Sequence, residues 1–161
     1  MDIRIEKVRE SDAPFLCTLM NDKEILAVLN EVPTALDDWR DAISAWNCDP
    51  DEEDYIVFAE ETPIGWLGIN GLLSEDKTAY IKIVAFLPQY QNLGIGPDVI
   101  NQILTNLTSR KFKRVMLYTD QENYRAQKCY AKCGFVVAEA LTETMANGAT
   151  VDRYIMERAL L

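Results

Sequence analysis

The run from Ala79 to Gly96, continued into the helix after it, limits the fold more than any other part of this chain. Ala79–Leu87 reads as one long, strongly apolar strand. Pro88 ends or bulges it, because proline cannot donate to a sheet ladder. Gln91-Asn-Leu-Gly94-Ile-Gly96 follows as a turn. Val99, Ile100, Ile103, Leu104 and Leu107 then mark one face of a helix, and Pro97 suits its first turn. A strand that passes through a glycine turn into a helix exposes backbone N–H groups at the positive end of the helix dipole, about half an elementary charge. That is an anion cradle suited to a pyrophosphate. A dinucleotide-binding GxGxxG needs glycine where Val99 stands, and no Gly-Lys-Ser/Thr follows to make a P-loop. GxG alone is also what a plain turn looks like.

The rest of the chain reads as alternating elements. Ile3-Arg4-Ile5-Glu6 alternates as a first strand. Ser11 or Asp12 caps a helix with Pro14 in its first turn and Phe15, Leu16, Leu19 and Met20 on its buried stripe. Lys23–Leu29 is a second helix. Thr34-Ala-Leu-Asp37 resembles a capping box that opens a third, through Trp39, Ile43 and Trp46. Acidic Asp49–Asp54 reads as a loop, and strands follow at Tyr55–Ala59 and, after a Glu61-Thr62-Pro63 turn, at Ile64–Leu73. Beyond the glycine-turn helix come a strand at Val115–Thr119 and a helix at Tyr124–Lys132 ended by Gly134. Strands at Phe135–Leu141 and Val151–Met156, joined through Asn147-Gly148, complete the order. The expectation is one α+β domain over residues 1–161, built on a mixed sheet.

Composition narrows the chemistry. With 161 residues and no histidine, the chain has no Ser-His-Asp triad, no imidazole base and no His-ligated metal. Cys17, Cys48, Cys129 and Cys133 form no CxxC pair, so reduced cytoplasmic thiols and no metal are expected. The first residues lack an apolar signal core, and no apolar run approaches the 18 or so residues that span a bilayer. A net charge of −10 disfavours nucleic acid and anionic membranes. The charge is uneven: residues 1–76 hold 19 acidic and 5 basic side chains, and residues 77–161 hold 7 and 11. The halves could favour a cationic and an anionic ligand, or could simply be solvated surfaces.

A second motif is Asn123-Tyr-Arg-Ala126-Gln-Lys-Cys-Tyr130-Ala-Lys-Cys-Gly134-Phe135. Singly, Asn123 reads as a helix cap and Tyr130 as a packed aromatic. Paired with the glycine turn, the segment resembles the N-x-x-A-x-x-x-Y-x-x-x-G-F motif of the GNAT superfamily of acyl-CoA-dependent N-acyltransferases. Gln91-x-x-Gly94-x-Gly96 resembles that superfamily's other motif. The element order fits over nearly the whole chain. Pro63-Ile64-Gly65 and the closing Asn147-Gly148…Asp152…Met156 look most like the ribosomal-protein alanine acetyltransferase and aminoglycoside 6′-N-acetyltransferase branches.

The resemblance implies a mostly antiparallel, twisted sheet of about seven strands with helices on both faces. It implies acetyl-CoA as co-substrate. Val84, Ala85 and Phe86 would face the pantetheine arm where two strands splay, and the amides across Gln91, Asn92, Leu93, Gly94, Ile95 and Gly96 would hold the pyrophosphate. Asn123 would contact pantetheine, and Tyr130 would protonate the leaving thiolate. The acceptor would be a cationic small-molecule or peptide amine on the side lined by the acidic N-terminal helices and following strands, with a protein N-terminus, a polyamine and an aminoglycoside as candidates, on a monomer or homodimer. Three departures stand out. Pro97 has no amide to give, and Asp98 puts a carboxylate in the helix's first turn. Tyr80 and Tyr118 occupy central-strand positions where relatives often carry a carboxylate base, leaving Asp120, Glu122 or Glu31 as candidates through water. The competing reading is a non-catalytic acyl-CoA-binding sensor or interaction module on the same fold.

Overall fold

The computed structural model of the chain describes residues 1–160; Leu161 lies outside the described residues. The strands are β1 (Ile3–Lys7), β2 (Glu53–Ala59), β3 (Thr62–Asn70), β4 (Thr78–Phe86), β5 (Arg114–Asp120), β6 (Val136–Thr144) and β7 (Thr150–Ala159). The helices are α1 (Ala13–Met20), α2 (Lys23–Leu29), α3 (Leu36–Asn47), α4 (Ile95–Ser109) and α5 (Tyr124–Lys132). All seven strands join one sheet in the order β1-β2-β3-β4-β5-β7-β6. Among the described residues only β4 and β5 run parallel; every other pair is antiparallel. This is the expected mixed α+β sheet. Among the described residues no helix is long and apolar enough to cross a membrane.

Each face of the sheet buries its own core. On one, the stripe Val99, Ile100, Ile103, Leu104 and Leu107 of α4 packs on Val57, Leu67, Ile69, Ile81, Val115 and Leu117. On the other, α1, α2 and α3 bring Leu16, Leu19, Ile25, Trp39 and Ile43 onto Ile56, Trp66 and Ala85. Full burial of each such aliphatic side chain contributes about 1.5–3 kcal/mol.

Several local expectations are corrected. The Thr34–Asp37 capping box does not form: α3 starts at Leu36 behind Ala35, with no side-chain cap. The Asn21 side chain has claimed Thr34, accepting from its N–H at 2.9 Å and donating to its carbonyl at 3.0 Å. Asp12 does not cap α1 through its side chain; it accepts from the Arg9 N–H at 2.7 Å across a 3₁₀ turn at Glu10–Asp12. Glu53 and Asp54 belong to β2 rather than to a loop, and Thr62, Pro63 and the whole Pro63-Ile64-Gly65 segment lie inside β3. The reversal falls one residue earlier, on Glu60 at φ 54°. Pro63 is tolerated because the register slips between Val57 and Phe58 beside it.

Candidate active site

β4 and β5 pair only at Thr78↔Arg114, Ala79↔Val115 and Tyr80↔Met116. Past Tyr80 they part, and the gap widens into a cleft of about 710 Å³. One wall carries Val84, Ala85 and Phe86 of β4, the opposite wall Tyr118, Thr119 and Asp120 of β5. α2 closes one side with Ile25, Val28 and Leu29, and α5 and the start of α4 close the other.

The glycine turn lies on this cleft. Gln91 donates its side-chain amide to the Phe86 carbonyl at 3.0 Å, which ties the turn to the strand it leaves. Asn92 (φ 61°) and Gly94 (φ 78°) both sit in the left-handed region. A Cβ built on Gly94 meets no protein atom within 4 Å, so the space above it is open. Gly96 is confined instead: a Cβ there would lie 3.0 Å from the Cys129 Sγ, which lets α4 approach α5 closely. Gln91, Asn92, Gly94 and Gly96 line the cleft. Leu93 and Ile95 do not, since Leu93 is in solvent and Ile95 is in the core. Pro97 is on the cleft wall, and Asp98 is not; its carboxylate accepts from Gln102 within α4.

α5 contributes both motif residues. Asn123 caps it by accepting from the Ala126 N–H at 3.2 Å, which leaves the carboxamide N–H₂ available while the residue lines the cleft. Tyr130 lines it as well, with its ring 6.0 Å from that of Phe135. Among the described residues, its hydroxyl has no hydrogen-bond partner. Burial raises the Tyr130 pKa above the usual phenol value; the adjacent Cys129 adds to the rise and Arg153 opposes it. The phenol therefore keeps its proton through neutral pH. Burial likewise pushes the Cys129 thiol up to about 11, so it is no ready nucleophile.

The sequence reading missed the cations of α5. Arg125, Lys128 and Lys132 all line the cleft, spaced i, i+3, i+7 on one helical face. That spacing and the basic surplus of residues 77–161 were the available signals. The expected acidic acceptor side is corrected too: of the 19 acidic residues in positions 1–76, only Glu24 lines the cleft. Asp120 also lines it, yet both its oxygens are taken. Arg153 donates to one at 3.0 Å and the Asn30 side chain to the other at 2.9 Å. Glu122, Glu31 and Tyr80 do not line the cleft; Tyr118 does, beneath the Arg153 guanidinium at 5.5 Å. Asn30, at the left-handed end of α2, also meets Asn147 of the β6–β7 turn, so α2, β5 and that turn are tied together at one end of the cleft.

The architecture and the sequence have known counterparts. The spermidine N-acetyltransferase of Vibrio cholerae, solved with CoA and spermine, superposes with a TM-score of 0.89 at 22% identity, over 98% of this chain and 95% of that one. A GNAT-family acetyltransferase of Streptococcus pneumoniae gives 0.80 at 14% identity, over 99% and 100%. Uncharacterised N-acetyltransferases of Mycobacterium bovis and Mycobacterium tuberculosis are 31% identical over 88 residues, 54% of this chain and 55% of theirs. The chain thus spans about half the length of the curated relatives it matches. The sequence pattern of the acetyltransferase (GNAT) family runs from residue 15 to residue 135. Because that stretch takes in both the glycine turn and Tyr130, and most of the chain besides, the chain belongs to the acetyltransferase (GNAT) family.

Proposed function

We propose that this protein, acting as one domain over residues 1–161, moves an acetyl group from acetyl-CoA to a primary amine of a cationic acceptor. One observation carries the reading: a single cleft joins a strand edge that has lost its partner, at Val84–Phe86, to the unpartnered hydroxyl of Tyr130. The pantetheine arm suits that free edge, where it would lie as an added strand. The pyrophosphate suits the amides from Asn92 to Gly96 at the start of α4, where the open space over Gly94 leaves room for it. Arg125, Lys128 and Lys132 supply countercharge, and Asn123 has an N–H₂ left to donate toward the arm.

The chemistry then needs little from the protein. The neutral amine attacks the thioester carbonyl carbon, and a strand N–H stabilises the oxyanion. The carbon–sulfur bond breaks, the Tyr130 hydroxyl protonates the departing thiolate, the amine's proton leaves to water, and the Tyr130 phenolate regains a proton from that water. With Asp120 held by Arg153 and Asn30, no carboxylate is assigned as base; the small neutral fraction of the amine reacts. Glu24, which no cation pairs with among the described residues, is the anchor for an acceptor ammonium. Spermine in the Vibrio cholerae neighbour puts polyamines first among acceptors to try, ahead of protein N-termini and aminoglycosides. Four free cysteines suit a cytoplasmic protein, as monomer or homodimer. The test is free-thiol release from acetyl-CoA across a panel of amines. Tight CoA binding with no amine acetylated would make the protein an acyl-CoA-binding module instead.

A further inference from the structure

β4 carries a bulge whose position matters for the cleft. Its register with β3 slips between Gly68↔Ile83 and Ile69↔Ile81, which leaves Lys82 as the extra residue. The slip reverses the strand's facing. Ala79 and Ile81 pack in the core under α4, whereas Ile83 and Ala85 pack in the core under α1 and α3. Without the bulge, residues 79, 81, 83 and 85 would share one face, because strand side chains alternate with a period of two. With it, Val84 and Phe86 take the α4 side, where both line the cleft.

Lys82 is held from three elements. Its ammonium pairs with Glu52, lies 3.1 Å from Asp54 Oδ1, and sits 4.2 Å over the ring of Trp46 and 5.2 Å over that of Trp66. Trp66 also donates its indole N–H to Asp54 Oδ1 at 2.8 Å. The Asp54 side chain is fully buried, and its Oδ2 has no partner. Gly68 makes the room, for a Cβ there would lie 2.6 Å from Asp54 Oδ1 and 2.8 Å from Lys82 Cε. Lys7, Asp49 and Glu53 line the small pocket that opens onto the same group. Burial, with the neighbouring Glu52, pushes the Asp54 carboxyl up to about 7 against the pull of Lys82 and the Trp66 N–H. Buried charge clusters seldom add stability over an apolar replacement, and their best-attested use is to fix one arrangement.

We propose that Lys82 is a positioning residue: clamped by Glu52, Asp54 and the two indoles, it fixes the β4 bulge and so the facing of Val84–Phe86 in the cleft. The inference rests on the acetyltransferase reading for its consequence and on the register slip for its cause. The test compares Lys82→Arg with Lys82→Met/Asp54→Asn, the latter removing the fully buried carboxylate together with its cation. Amide hydrogen exchange at residues 83–86 should quicken about tenfold in the double variant while the middle of α4 is unchanged. The acetyl-CoA Kd should rise about tenfold, with the acceptor KM unmoved. Lys82→Arg should restore both. A folded double variant with wild-type exchange at residues 83–86 overturns the proposal. So does one with faster exchange there and an unchanged acetyl-CoA Kd. A wild-type protein that fails to bind acetyl-CoA would sink the acetyltransferase reading instead, and exchange would still decide the role of Lys82 in the bulge.

Discussion

Replacing Tyr130 by Phe removes one oxygen and keeps the ring. The ring's packing against Phe135, 6.0 Å between centroids, should survive. The hydroxyl makes no hydrogen bond to the described residues, so the usual 0.5–1.5 kcal/mol, roughly, of such a bond is not there to lose. Stability should therefore stay within about 0.5 kcal/mol of wild type by urea titration. Acetyl-CoA affinity by calorimetry should hold as well, because the anion cradle lies on the turn before α4. What disappears is proton donation to the leaving thiolate, worth about 10²–10⁴ in rate, or about 2.7–5.4 kcal/mol of barrier. The fall belongs in kcat with KM little changed. A thioester with a more acidic thiol needs less protonation as it leaves, so the variant's deficit should shrink with such a donor. Wild-type turnover combined with a loss of about 1 kcal/mol in stability would refute the argument and make the hydroxyl a packing group.

Three further outcomes are expected. Gly94→Ala should stay folded, since the new Cβ meets no protein atom, with left-handed strain of about 1–2 kcal/mol; its acetyl-CoA affinity should drop, and unchanged calorimetry would remove the turn from the site. Asp54, raised from 3.8 to about 7, binds a proton in the folded state that the unfolded chain lacks between those values; stability should fall as pH rises through that window, by at most about 1.4 kcal/mol per pH unit, and Asp54→Asn should flatten the slope in urea titrations at several pH values. Glu24→Gln should raise the KM of a cationic acceptor about two- to fivefold and blunt its rise with salt, while a salt-independent wild-type KM would dismiss the anchor.

The fold was legible wherever its causes are local. α2 runs over Lys23–Leu29 as read, because Asp22 beside it caps the Glu24 and Ile25 amides. α5 ends as read, because Gly134 at φ 87° takes the left-handed residue past its end. The start of α3 was misread because the residue that claims Thr34 is Asn21, outside the window in which a capping box is recognised. The slips at Val57/Phe58 and Gly68/Ile69 follow the same rule, since register belongs to a pair of strands. Even so, Gly68 was a trace of one of them, a glycine inside a strand pattern where another side chain needs the space.

The site divides along the same line. Gly94 and Asn123 announce themselves through backbone geometry and capping, which a short motif encodes. Arg125, Lys128 and Lys132 were recoverable from helical spacing and the basic surplus of residues 77–161. The state of Asp120 was not: as a sequence position it is a free carboxylate at a strand end. In the fold Arg153, across the β5–β7 ladder, and Asn30, at the end of α2, occupy both its oxygens. Arg153 also reaches Glu143 on β6 at 2.7 Å, so one guanidinium joins three strands beside the cleft. Charge counted along the chain treats Asp120 as available and assigns the acidic half to an acceptor. Charge counted along the cleft wall finds Glu24, an Asp120 already held by Arg153 and Asn30, and the basic face of α5. The cleft therefore has one strongly cationic side, fitted to a polyanion, and an acceptor side that is nearly neutral apart from Glu24. On the acetyltransferase reading proposed above, that arrangement would bind the acyl donor through charge and leave the acceptor to be chosen by a single carboxylate and the shape of α2.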